Sequence, residues 1–195
     1  MMQPQAIVIG VSAGAIEALT TILSPLPEDY PVPIIIVVHI PPHKESKLTA
    51  VFQNKCDMRV YEAEDKQKIE PGVIYFAPPN YHLLVEQDHS LSLSSEEEIL
   101  FSRPSIDVLF ESAADAYGSN LLGIILTGAN EDGSNGLKMV ADRQGTSIVQ
   151  EPLSATAAIM PRTALQKVPD ALILDPAEIA AYLMRFNCAR VDHGA

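Results

Sequence analysis

Two hydrophobic rhythms alternate along this chain. Short, nearly unbroken apolar runs occur at Ala6-Ile7-Val8-Ile9, Ile34-Ile35-Ile36-Val37-Val38, Leu121-Leu122-Gly123-Ile124-Ile125-Leu126, Thr146-Ser147-Ile148-Val149 and Ala171-Leu172-Ile173-Leu174. The first three predict buried strands, that at 34–38 covered on both faces as in a parallel sheet, and the last two predict further strands. Between them, apolar residues recur at helical spacing. Ile16, Leu19, Ile22 and Leu23 follow the first run, and Leu48, Val51 and Phe52 lie in a segment expected to be helical from about 43 to 53. Ile106, Val108, Leu109, Phe110 and Ala113 follow Arg103-Pro104-Ser105 and stop at Gly118, and Leu137, Met139 and Val140 precede Gly145. Ile179, Ala180, Leu183 and Met184 follow Asp175-Pro176 and predict a last helix. Proline before a helix and glycine after one are the expected boundary residues.

The middle of the chain breaks this alternation. Arg59-Val60-Tyr61, Val73-Ile74-Tyr75-Phe76, His82-Leu83-Leu84-Val85 and Ser90-Leu91-Ser92-Leu93 are short and punctuated by Pro71-Gly72 and Pro78-Pro79-Asn80. They predict a small antiparallel hairpin region near residues 58–94, with an exposed acidic loop from Ser92 to Glu98. The fold class is therefore α/β: a doubly wound, mostly parallel sheet flanked by helices, with that hairpin region attached. One domain is expected over residues 1–187, with a loose tail over 188–195.

Composition narrows the partners. With 195 residues and 47% hydrophobic content, the chain can close a sizeable single core. A formal net charge of −12 argues against a nucleic-acid partner and against anionic membranes. No stretch is long enough to span a bilayer, and the N-terminus lacks the pattern of a signal peptide, so a cytoplasmic protein without membrane insertion is expected. Cys56 and Cys188 have no metal-type spacing and read as two reduced thiols.

Candidate chemistry sits where the strands end. Gly10-x-Ser12-x-Gly14 follows the first strand and opens the first helix, the setting of a nucleophile elbow. The same turn is also compatible with a phosphate-binding or purely structural role. His39 follows the second strand directly, and Asp132 lies just after the strand ending at Leu126. A serine hydroxyl needs a base, and the base needs a carboxylate to hold its tautomer, so Ser12, His39 and Asp132 make a candidate triad. Taken singly, His39 could be a structural histidine and Asp132 a helix N-cap. His43 is separated from His39 by Pro41-Pro42, His89 lies in a polar loop and His193 in the tail, so no metal site and no cofactor are expected.

The chain resembles the catalytic domain of the chemotaxis receptor protein-glutamate methylesterase (CheB) family over nearly its whole length. The motifs that carry the resemblance are Ile9-Gly10-Val11-Ser12-Ala13-Gly14, Val38-His39-Ile40-Pro41, Pro71-Gly72-Val73-Ile74-Tyr75-Phe76-Ala77-Pro78, Arg103-Pro104-Ser105-Ile106-Asp107-Val108-Leu109-Phe110, Leu126-Thr127-Gly128-x-x-x-Asp132-Gly133 and Met160-Pro161-Arg162. The resemblance implies that Ser12 is the nucleophile, His39 the general base and Asp132 its orienting carboxylate. It implies hydrolysis of glutamate γ-methyl esters on the cytoplasmic helices of methyl-accepting chemoreceptors with release of methanol, and glutamine deamidation as a companion activity. A receptor methyltransferase or a separate receiver protein would be further partners. The amides of Ala13 and Ala129 are the oxyanion-hole candidates, and Arg103 is either a substrate-steering group or a solvated or helix-capping arginine.

Three departures from the family pattern stand out. Ser12-Ala13-Gly14-Ala15 replaces the usual Ser-Thr-Gly-Gly, and Gly128-Ala129-Asn130-Glu131-Asp132-Gly133 replaces Gly-Met-Gly-x-Asp-Gly, with Glu131 adding charge near the site. The family's usual amino-terminal receiver domain has no counterpart in this sequence, so inhibition in cis by such a domain is not expected. Two other readings stay open beside the methylesterase: an esterase for another carboxyl ester, and a non-catalytic sensory domain that binds receptor or methyltransferase partners.

Overall fold

The computed structural model describes residues 3–39, 47–99 and 102–188. A seven-stranded, all-parallel sheet forms its centre, in the order β3-β4-β2-β1-β7-β8-β9. Its strands are β1 (Ala6–Val11), β2 (Ile34–Val38), β3 (Arg59–Glu62), β4 (Val73–Phe76), β7 (Leu121–Ile125), β8 (Thr146–Gln150) and β9 (Leu172–Leu174). A separate antiparallel pair, β5 (His82–Val85) and β6 (Leu91–Ser94), forms a hairpin. The helices are α1 (Ala15–Leu23), α2 (Leu48–Gln53), α3 (Ile106–Tyr117), α4 (Ser134–Asp142), α5 (Ile159–Lys167) and α6 (Pro176–Cys188).

The sheet is wound on both faces, as its alternating strands and helices require. Ile7, Ile9 and Val11 of β1 turn toward Leu19, Ile22, Phe52, Ile179 and Leu183 of α1, α2 and α6. Ala6 and Val8 turn the other way, into a cluster containing Leu109 and Phe110 of α3, Leu137 and Val140 of α4, and Ala164 of α5. The hairpin joins this second layer through Leu83, Val85 and Leu91. Every residue of β1, β2, β4 and β7 is buried, which explains the unbroken apolar runs.

The antiparallel region is narrower than residues 58–94. Among the described residues its strands are β5 and β6, with one isolated antiparallel bridge between Lys68 and Ser90; β3 and β4 pair in parallel and extend one edge of the main sheet. The burial of all four β4 residues carries the reason, since a strand covered on both faces belongs inside a parallel sheet rather than on a hairpin. Ile16 departs from its expected inward place: it is 45% exposed, and Ala15 and Ala18 pack inward with Leu19, Ile22 and Leu23 instead.

α5 is an element that periodicity did not reveal. Pro161 stands in its first turn, where no intrahelical amide is needed, so the helix tolerates it. α2 begins at Leu48 with Lys47 as its N-cap, later than the expected start; residues 43–46 of the expected helix, His43 among them, lie outside the described residues, as does the tail from residue 189. No helix among the described residues is long and apolar enough to cross a membrane.

Candidate active site

The site forms at the carboxyl ends of three neighbouring strands, β2, β1 and β7, where parallel sheets gather functional groups. The sheet ladder itself runs on into it. The His39 amide donates to the Val11 carbonyl at 3.1 Å, and the Ser12 amide donates to the Thr127 carbonyl at 2.9 Å. Ser12 and His39, the residues that follow β1 and β2, are thus held by the same backbone bonds as the strands.

The turn after Ser12 needs its glycines for two different reasons. Gly14 adopts φ +87°, the left-handed region that side chains avoid. Gly10 lies under α3: a Cβ there would stand 2.3 Å from Ile106 Cγ2, so only glycine lets the start of α3 settle on β1. That close approach carries Ser105 and the first amides of α3 to the site.

Asp132 receives them. Its carboxylate is completely buried and accepts five hydrogen bonds. Oδ2 takes His39 Nε2 at 2.8 Å and the Ile106 amide at 2.7 Å. Oδ1 takes the Ser105 hydroxyl at 2.9 Å and the amides of Asp107 at 3.0 Å and Gly133 at 2.9 Å. Burial by itself would raise the Asp132 pKa, but the bonds from His39 and from the Ile106 and Asp107 amides outweigh it and hold the group below its ordinary value. A permanent anion therefore faces the imidazole. Asp132 does cap a helix, but it is α3 rather than the α4 that follows it, whose N-cap is Gly133.

The tautomer of His39 follows from its neighbours. Nε2 donates to the Asp132 anion, which leaves Nδ1 as the nitrogen with a free lone pair. Asn130 Nδ2 donates to that nitrogen at 3.2 Å. Among the described residues no side-chain hydrogen bond is made by the Ser12 hydroxyl, and none to a protein acceptor by the Ala13 or Ala129 amides. Around these amides the chain is pinned: the Thr127 hydroxyl donates to the Ala13 carbonyl at 2.7 Å, and the Gly128 amide to the Ala157 carbonyl at 2.9 Å. Unsatisfied amides on a fixed turn can receive negative charge that develops on an acyl oxygen.

Arg103 is occupied elsewhere. Its Nη1 donates to the Ser95 and Glu96 carbonyls at 3.0 and 2.7 Å and so ties down the acidic loop. Glu131 is exposed. His89 stacks on Tyr117 with ring centroids 4.3 Å apart, away from the triad candidates. Among the described residues no group of three or more His, Cys, Asp or Glu side chains could hold a metal ion.

Three polar residues join the site that the sequence had not pointed out: Ser105, Asn130 and His82. His82 is buried, accepts the Ser105 amide on Nδ1 at 3.1 Å and donates from Nε2 to the Glu97 carbonyl at 2.9 Å. It links the acidic loop to the cradle of Asp132. The hydroxyl at Ser105 was legible as the start of a helix; that it serves a distant carboxylate was not.

Comparisons with known proteins bear on the family and the fold. The family model described as CheB methylesterase matches residues 7–183. A Leptospira interrogans protein, whose name assigns it provisionally as a protein-glutamate methylesterase/protein-glutamine glutaminase, is 46% identical over 186 residues, covering 95% of this chain and 96% of the relative. A protein-glutamate methylesterase/protein-glutamine glutaminase of Archaeoglobus fulgidus is 33% identical over 92% of this chain, which spans 52% of that relative. The solved CheB methylesterase catalytic domain of Thermotoga maritima superimposes with a TM-score of 0.88 at 29% identity, covering 94% of this chain and 99% of that one.

Proposed function

The chain belongs to the CheB methylesterase family, and from that premise we propose that it hydrolyses glutamate γ-methyl esters on chemoreceptors, with Ser12, His39 and Asp132 as its catalytic triad. The observation that carries this reading is the 2.8 Å bond from His39 Nε2 to the buried Asp132 anion, at the end of the strand neighbouring the one that Ser12 follows.

The reaction follows from the protonation states. Nδ1 of His39 takes the proton of the Ser12 hydroxyl as Oγ attacks the ester carbonyl, and the imidazolium that forms is stabilised by Asp132. The tetrahedral oxyanion is received by the Ala13 and Ala129 amides. The C–O bond to methoxide then breaks, His39 returns the proton, and methanol leaves an acyl-enzyme on Ser12. Water attacks that ester with His39 again as base, releasing the glutamate carboxylate and restoring the serine. With a glutamine substrate the same sequence expels ammonia. The receptor's cytoplasmic helices are the proposed partner, and the cytoplasm the proposed location.

The test is methanol release from a methyl-esterified receptor signalling domain, by the wild type, Ser12→Ala and His39→Ala. Release that both substitutions abolish supports the reading. Release that survives Ser12→Ala overturns the assignment of the nucleophile, and a folded wild type that releases none overturns the substrate.

A further inference from the structure

Both ring nitrogens of His39 are held by residues of one short loop. Nε2 donates to Asp132 Oδ2 at 2.8 Å, and Nδ1 accepts from Asn130 Nδ2 at 3.2 Å. The orientation of the Asn130 amide is not arbitrary. Its Oδ1 accepts the backbone amide of Asp132 at 3.3 Å, and since a backbone N–H can only donate, the oxygen must face it. That turns the NH2 group toward the ring. Asp132 thus contributes twice, anchoring one nitrogen through its carboxylate and fixing, through its amide, the group that covers the other.

The covered nitrogen is the one the chemistry requires. With the Nε2 proton engaged by Asp132, only Nδ1 can accept the proton of Ser12, yet its lone pair already receives Asn130. The family pattern has a glycine at this position, which carries no side-chain donor.

We propose that Asn130 is a positioning residue that latches the resting enzyme: it occupies the proton-accepting nitrogen of His39, and Ser12 is activated only when that bond opens. The proposal rests on the reading of Ser12 and His39 given above. Asn130 acts through His39: it sets how often the base nitrogen is free to serve Ser12. A neutral hydrogen bond of this kind corresponds to roughly a two- to tenfold population of the closed arrangement over the open one. Removing it should raise the reactivity of Ser12 by the same factor, because the anchor on Nε2 is untouched.

The test uses a serine-directed fluorophosphonate on the full chain. Ser12 Oγ attacks phosphorus, the P–F bond breaks, and fluoride leaves while the serine proton passes to Nδ1 and then to solvent. Labelling rates are compared for the wild type, Asn130→Ala and Asn130→Gly; the alanine variant decides if the glycine variant fails to fold. Wild-type protein is also examined for a 15N–15N coupling across the hydrogen bond from Asn130 Nδ2 to His39 Nδ1. The expected result is a detectable coupling and labelling that is roughly two- to tenfold faster in the variants. A labelled wild type with variants at equal or lower rates overturns the latch and leaves the esterase reading standing, as does absence of the coupling. Absence of labelling in every form overturns both.

Discussion

Asp107 and Asp132 each close the start of the helix that belongs to the other. Asp132, at the entrance to α4, accepts the Ile106 and Asp107 amides at the start of α3. Asp107, in the first turn of α3, accepts the Gly136 amide at 2.7 Å and the Asn135 side chain at 3.0 Å at the start of α4. Anions at helix N-termini are favoured by the unsatisfied amides and the helix dipole. The exchange also divides the two carboxyls. Burial raises the Asp107 pKa, opposed by the Gly136 amide and reinforced by the neighbouring Asp132 charge, whereas Asp132 is held low. The two carboxyls are thus shifted in opposite directions, and the one held low faces His39.

Asp132→Asn should separate the site's chemistry from its scaffold. The new amide nitrogen can donate to His39 Nε2, which moves the ring proton to Nδ1 and removes the base. Methanol release is expected to fall by about 10³-fold or more, by analogy with the same change in serine-protease triads. Far-UV circular dichroism should still report a folded chain. Full activity in this variant would remove Asp132 from the mechanism.

Ser12→Ala should be nearly silent in stability. Ser12 is half-buried, so its truncation is expected to change unfolding free energy by less than about 0.5 kcal/mol while abolishing turnover. Urea denaturation beside the methanol assay checks both halves.

Acid should weaken the fold through Asp132. Its folded-state pKa lies below the ordinary value of 3.8, so the native state holds the anion more firmly than the unfolded chain does. That stabilisation is complete above about pH 4 and is lost as pH falls through the lower folded value. Asp107 has the opposite sign: its raised pKa means that protonation favours the native state. The difference in urea midpoint between wild type and Asp132→Asn is therefore expected to be constant from pH 7 to about 5 and to shrink below about pH 4. A difference that grows on acidification would contradict the lowered pKa.

Ser105→Ala removes one of five donors to the Asp132 carboxylate without touching the substrate. The expected loss is about 1 kcal/mol of stability and a fall in kcat of severalfold with KM unchanged. Ser105→Thr, which keeps the hydroxyl, should restore kcat. An effect confined to KM would argue against a role through His39.

Gly136→Ala tests how closely α3 and α4 meet. A Cβ at Gly136 would lie 2.5 Å from Phe110 Cβ and 3.1 Å from the Asp107 backbone. Overpacking of this kind is expected to cost about 1–3 kcal/mol, seen as a lower urea midpoint.

The three candidates Ser12, His39 and Asp132 were legible because each directly follows, or nearly follows, an apolar run, and the ends of parallel strands are where a sheet exposes chemistry. Strands β1, β2 and β7 were legible for the same reason, since burial on both faces leaves only apolar residues, whereas the edge strand β9 exposes Leu172 and Ile173. Val73 to Phe76 shows the limit. The run identifies a strand, but whether it pairs with Arg59–Glu62 in parallel or turns into a hairpin depends on which surfaces cover it. α5 was hidden by Pro161, a residue that excludes a helix interior but not a first turn. Ser105, Asn130 and His82 were invisible as site residues, because a hydroxyl, an amide and a strand histidine acquire their roles from partners 15 or more positions distant.

The central place of β1 in the sheet makes competence wait on a distant segment of the chain rather than build up gradually. Its two neighbours are β2, at residues 34–38, and β7, at residues 121–125. A nascent chain that has left the ribosome only as far as residue 120 carries the hydroxyl and the imidazole, but no anion to orient them. It also presents one whole side of β1 as an open, apolar edge, available to any passing strand. Translation through β7 seals that edge and supplies Asp132 within the same dozen residues, so the growing polypeptide gains its orienting anion only as β1 loses its open side.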